Sequence, residues 1–158
     1  MSALPRPGSA TVWPVQAHEL RHRVGSARVA RLGTVRPDGR PHLVPVCFAM
    51  LGDVAYHAVD EKPKTHRRLR RLVNIRATEH ACLLVDEYDE DWSALWWIRL
   101  DGHGRLVGDP AEEAAARAAL AAKYPQYVER PPGGPVVAVT VTRWSAWSAA
   151  RGAVELTG

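Results

Sequence analysis

The residues with the most evident chemistry lie between 62 and 76. Lys62, Lys64, Arg67, Arg68, Arg70, Arg71 and Arg76 share one stretch, and no acid occurs from residue 62 to 78. These seven are a third of the chain's 21 basic residues; the 14 that remain face 17 acidic ones, so the formal charge of +4 is local. A local cationic patch implies one anionic partner and not a generally adhesive surface. Thr65 stands ahead of Leu69, Leu72, Val73 and Ile75, which lie near helical spacing. That pattern predicts a helix with one apolar and one strongly basic side, capped at its start by the Thr65 hydroxyl. A capped helix start offers free N–H groups and the positive dipole end, and Lys64 adds a compact charge, which together suit a phosphate. Lys62 and Arg67 widen the patch toward a longer anionic tail. Arg67 and Arg71 share a helix face at i, i+4, with Arg68 beside it. The competing reading of the same run is a solvated basic face with no ligand.

Two further groups stand out. Trp92, Trp96 and Trp97 fall within six residues. On a strand, Trp96 and Trp97 face opposite sides, so one enters a core and the other needs a second surface such as a subunit seam or a ligand. Trp144 and Trp147 read as packing residues. His42 and His57 fall on neighbouring predicted strands, where each is either a proton donor or a hydrogen-bonded structural histidine. The chain shows no Ser-His-Asp order, paired-carboxylate motif or Gly-rich nucleotide loop. No Cys/His spacing fits a metal site, and Cys47 and Cys82, on apolar strands, read as buried free thiols. Nucleic acid is disfavoured as the anionic partner, because the tryptophans lie elsewhere in sequence and the rest of the chain is net acidic.

The elements that must position these groups follow from turn chemistry and periodicity. Residues 1–13, with Pro5, Pro7, Gly8 and Ser9, read as a loose arm. Val15–Val24 predicts a short helix. Arg28–Val35 alternates as a strand, and Pro37-Asp38-Gly39-Arg40 turns the chain into a second strand, His42–Met50. Gly52-Asp53 turns it again into a third, Val54–Val59. Three strands joined by short turns predict an antiparallel meander. Beyond the basic helix come a strand at Ala81–Val85, an acidic loop at 86–91, and a long strand, Trp92–Leu106, kinked at Gly102-His103-Gly104. An Ala-rich helix at Pro110–Tyr124 carries Pro and two acids in its first turn, and a β-branched strand, Val136–Thr142, follows. The 158 residues suit one domain, with 46% hydrophobic and 24% charged residues. Six or so antiparallel strands with a few helices predict a mainly β barrel with helical fillers. No apolar run is long enough for a membrane span, and the N-terminus lacks a secretory core, so a cytoplasmic protein is expected.

Three segments carry a resemblance. Ala30-Arg31-Leu32-Gly33-Thr34-Val35, continued by Pro37-Asp38-Gly39-Arg40-Pro41-His42-Leu43-Val44-Pro45-Val46, resembles the opening hairpin of the pyridoxamine-oxidase-like, FMN-binding split barrels. Lys62-Pro63-Lys64-Thr65 with Leu69-Arg70-Arg71 looks like the cofactor-phosphate segment of the branch thought to use the deazaflavin coenzyme F420. Leu83-Leu84-Val85-Asp86, Tyr88, Asp91-Trp92 and Leu95-Trp96-Trp97 continue the match in order, over roughly residues 28–107. The resemblance implies a six-stranded antiparallel split barrel that pairs as a homodimer, with a cofactor groove at each seam. It implies that Lys64 and Thr65 hold the cofactor phosphate with Lys62 close by, that Val44, Pro45 and Val46 lie along the ring system, and that Trp92 lies near the ring. His57 joins this expected cofactor set. Arg67 and Arg68 depart from the polar amide many relatives carry there; both are counted toward the cofactor tail. The expected activity is F420-dependent hydride transfer with a small organic substrate, the cofactor carrying the chemistry. The alternatives are an FMN-dependent oxidase or reductase of the same fold, or a non-catalytic cofactor- or haem-binding barrel.

Overall fold

The computed structural model describes residues 14–60 and 69–157. The expected arm at 1–13 lies outside them, as does the whole of the 62–68 run. The chain opens with helix α1 (Pro14–Ser26), then strands β1 (Ala30–Val35), β2 (Pro41–Val46), β3 (Ala49–Leu51) and β4 (Val54–Ala58). Helix α2 (Arg70–Thr78), β5 (His80–Glu87), a 3-10 turn at Trp92–Ala94 and β6 (Trp96–Leu106) follow. Helices α3 (Pro110–Lys123) and α4 (Gln126–Glu129) precede β7 (Val136–Ser148) and β8 (Gly152–Thr157).

The predicted turns form. In the β1–β2 turn Gly39 adopts φ +83°, a conformation that costs glycine little, and the Gly39 and Arg36 amides donate across it at 2.8 and 2.9 Å. The predicted meander does not form. His42–Met50 is broken at Cys47-Phe48 into β2 and β3, and these two strands stand at opposite ends of the sheet, whose order is β2-β1-β5-β6-β7-β4-β3, with β8 also on β7. All pairings are antiparallel, and the described residues contribute eight strands where six were expected. Two residues bridge roughly 7 Å of extended chain. The sheet must therefore curl until its two ends almost meet, joined by a covalent bend and not by a ladder of hydrogen bonds. That is a split barrel. The bend also separates along the sheet the two histidines read as neighbours: β2 carries His42 and β4 carries His57, with four strands between them.

Inside the curl, Leu32, Val46, Phe48, Leu83, Val85, Ile98, Leu100, Val137, Val139 and Trp144 pack as one core. Helix α2 closes one mouth, burying Leu72, Asn74 and Ile75; Asn74 is fully buried, and its amide donates to Thr34 Oγ1 at 3.0 Å. The expected kink in β6 is a register shift between Asp101 and Gly102. Glycine is required there, because a Cβ on Gly102 would sit 2.1 Å from the Thr140 carbonyl oxygen. Helix α3, capped by Asp109 accepting from the Glu112 amide at 2.8 Å, covers a second apolar layer of Ala49, Tyr56, Ala58, Val136 and Ala138. It leaves the outer face of β2-β1-β5-β6 without a helix among the described residues.

Candidate functional site

The mouth closed by α2 gathers the candidate chemistry. Helix α2 starts at Arg70, with Leu69 as its N-cap and no side-chain cap. Thr65 is therefore not the cap of this helix, which begins only where the apolar positions Leu69, Leu72, Val73 and Ile75 begin. The first turn holds Arg70 and Arg71 and no acid. Two cations at the positive end of a helix dipole are mutually unfavourable, by about 0.3–1 kcal/mol each, until an anion arrives. Beside them, β1 ends in Thr34-Val35 and is followed by Arg36, and His42 stands opposite Thr34 in register, on the inner face of β2. Burial lowers the pKa of His42, and the neighbouring Arg36, Arg71 and Arg70 lower it further. Arg71 is itself pushed down by burial, which Asp60 partly offsets. The Nε atoms of Arg36 and Arg71 and Nδ1 of His42 are buried and have no hydrogen-bond partner among the described residues. Buried donors without partners cost roughly 1–3 kcal/mol each. The cluster is short of negative charge and of acceptors, which is what a phosphate supplies.

His57 presents the opposite need. It is 8% exposed on the inner face of β4, and its Nδ1–H donates to the Cys47 carbonyl at 3.1 Å. That bond fixes the tautomer and leaves a buried Nε2 lone pair with no donor among the described residues. Burial first, and then Arg71, push its pKa down to about 4, so the ring is neutral near pH 7.

The strand expected to carry the ring system is an edge. β2 pairs only with β1 among the described residues, so one backbone edge is open to a planar partner with donors and acceptors of its own. Val44 and Val46 turn inward against the core, while Pro45 is exposed on the outer face opposite Arg31. Lys62, Lys64, Thr65, Arg67 and Arg68 lie outside the described residues. Trp92 is 68% exposed in the 3-10 turn between β5 and β6. It stands at the far end of β5 from α2, a strand length of roughly 25 Å at about 3.3 Å per residue. A single chain does not bring it to Arg71. Arg36 was missed by sequence reasoning, because it reads as part of a turn. Arg70 and Arg71 were read as part of a charged face, yet they form the helix start.

The opposite mouth is a cavity of about 900 Å³ under α1, floored by Leu20, Val85, Ile98 and Ala146. Trp96 lines it, with Arg23 over its ring at 5.0 Å and its Nε1–H donating to Glu87 at 3.0 Å. Strand alternation turns Trp97 to the face opposite Trp96, where it pairs across strands with Trp147; both are half-buried and border the rim of the same cavity. The uncovered outer face also carries Leu43, 63% exposed. Cys47 and Cys82 are free and half-buried. No group of three or more metal-ligating side chains, and no helix long and apolar enough to cross a membrane, occurs among the described residues.

An antiparallel barrel split at a bent strand, with a cationic helix start at one mouth, defines a split barrel. A family model described as pyridoxamine 5'-phosphate oxidase matches residues 17–148, and the chain belongs to that family. No curated protein matches it. Among solved structures, it is similar to a haem-binding protein from Mycobacterium smegmatis, at 21% identity and TM-score 0.75, over 93% of this chain and 60% of that one. The chain thus spans less than two thirds of that relative's length. It is also similar to a conserved hypothetical protein from Mycobacterium tuberculosis (17% identity, TM-score 0.70, 92% of this chain and 91% of that one). A third is an FAD-binding protein from Mesorhizobium loti (19% identity, TM-score 0.63, 82% of this chain and 92% of that one). These likenesses establish the fold.

Proposed function

We propose that the chain is a cytoplasmic, homodimeric oxidoreductase that uses the deazaflavin F420 as its hydride carrier for a small organic substrate. The observation that carries the reading is the uncompensated cationic mouth: Arg36, Arg70 and Arg71 around His42, with three buried nitrogens unpartnered among the described residues. Arg70 and Arg71 at the α2 start, with Lys62, Lys64 and Thr65 from the preceding segment, hold the cofactor phosphate. Arg67 and Arg68 extend the positive charge along an acidic tail, which F420 has and FMN lacks. Val44, Pro45 and Val46 line the ring, which lies along the open edge of β2. His57, inside the barrel behind that strand, stays neutral and holds the bend at Cys47 through its Nδ1–H. Bound and reduced, the deazaflavin supplies a hydride; the protein orients it and keeps water out. The end of the outer face around Trp97 and Trp147 pairs two copies, and this pairing brings Trp92 of one copy toward the ring held by its partner. No nucleic acid or membrane is involved.

The same mouth also suits FMN, whose single phosphate needs only Arg71 and its immediate neighbours. A haem-binding reading rests on the fold likeness to the mycobacterial haem-binding protein. Inside the barrel, haem would need His57 as ligand, and that ring is buried behind β4. The deciding experiment is the absorbance spectrum of the purified protein followed by side-by-side titration with F420, FMN and haemin. F420 binding at least tenfold tighter than FMN supports the proposal. Purification with stoichiometric FMN, or tight haemin binding alone, overturns it.

A further inference from the structure

The outer face of the sheet carries a pair of side chains that the cofactor reading does not use. His80, the first residue of β5, and His103 of β6 are direct cross-strand partners. Both are exposed, and their ring centroids lie 6.4 Å apart with the planes tilted by 39°. They are held on rigid backbone: the Gly104 amide next to His103 donates to the Glu79 carbonyl next to His80 at 2.7 Å. We propose that His80 and His103 form a two-imidazole chelate for a borderline divalent transition ion, with its remaining positions open to water or to another ligand.

Imidazole is the side chain best suited to such ions, and Ni2+ and Cu2+ rank high for nitrogen ligands. Two imidazoles at 2.0–2.1 Å from one tetrahedral ion have centroids about 5 Å apart. The pair therefore needs to close by about 1 Å, which side-chain torsions of two exposed rings supply without moving the strands. The next cross-strand pair, Cys82 and Asp101, lies on the same face but does not complete the site. The Cys82 sulfur leans across to β1, 2.8 Å from where a Cβ on Gly33 would stand. The Asp101 carboxylate is taken by Arg99 at 3.0 Å and Arg143 at 3.1 Å. The result is a bidentate site.

The probe is Ni2+, which does not oxidise the nearby thiol, titrated by calorimetry into the full chain. His80→Ala and His103→Ala should each weaken binding at least tenfold, because each leaves one imidazole, while the metal-free melting curve stays where it was. Because His18 and His22, exposed at i, i+4 on α1, are a second imidazole pair of the same kind, all three titrations are made in a His22→Ala background, in which the strand pair should still bind Ni2+. Absence of Ni2+ binding in that background, or unchanged affinity in either β-strand variant, overturns the assignment.

Discussion

Arg71→Met separates a ligand-binding cation from a structural one. Methionine keeps an unbranched stem of similar length, so the apolar packing of the half-buried side chain survives while the charge and its donors go. In the ligand-free protein Arg71 stands against Arg70, Arg36 and His42, with Asp60 as its only opposing charge among the described residues. Its Nε is buried without a partner. Removing it relieves repulsion and one unmet donor, so the stability of the free protein should hold or rise. Its contribution to ligand binding has the opposite sign. A hydrogen bond to a charged group contributes about 1.5–3 kcal/mol, or roughly 10- to 150-fold in Kd. The assay is a pair of measurements on one preparation: urea unfolding without ligand, and cofactor titration by fluorescence at low and moderate salt. Weaker binding with unchanged or higher stability is expected. Lower stability with unimpaired binding would refute the reasoning, because Arg71 would then be an ordinary part of the barrel plug.

Other consequences follow from the same geometry. His57 has a folded-state pKa of about 4 against an ordinary value of 6.5, so the unfolded chain takes up its proton first as pH falls. Its contribution is therefore fully present above pH ~6.5 and is lost toward pH 4, roughly 3 kcal/mol in all; urea unfolding at pH 7 and 4.5 should show the loss, and His57→Gln should flatten it. Gly102→Ala should cost about 3 kcal/mol or prevent soluble expression, because the added Cβ meets backbone at Thr140, which cannot rotate away; a wild-type melting temperature would contradict the bulge geometry. Trp97→Lys places a charge at the half-buried Trp97–Trp147 pair on the outer face and should convert a dimer to a monomer in light scattering while far-UV circular dichroism stays native; a dimer that persists would move the seam elsewhere.

Much of this protein was legible in the chain because local chemistry decided it. Pro37-Asp38-Gly39 had to turn, Gly102 marked a break in β6, and Pro110 with two acids behind it marked the start of a helix. Trp96 and Trp97 had to part because a strand alternates. The density of cations before residue 77 and the absence of acids there indicated an anion partner by charge alone. The family resemblance in three ordered segments agreed with the match over residues 17–148.

What the sequence could not decide was pairing. His42–Met50 reads as one strand because every residue in it suits a strand; only the curl of the whole sheet forces the bend at Cys47-Phe48 that sends β2 and β3 to opposite ends. Strand propensity is local, whereas a strand's partner is set by which edges the rest of the chain leaves free. The same holds for the site. Thr65 looked like a helix cap from spacing, yet the described helix begins at Arg70, where Leu72, Asn74 and Ile75 can enter the barrel mouth together. Arg36 and His42 become part of an anion site only because that plug lands beside them. Tertiary packing alone buried those nitrogens away from water, and burial is what turns a basic stretch into a demand for a particular kind of partner.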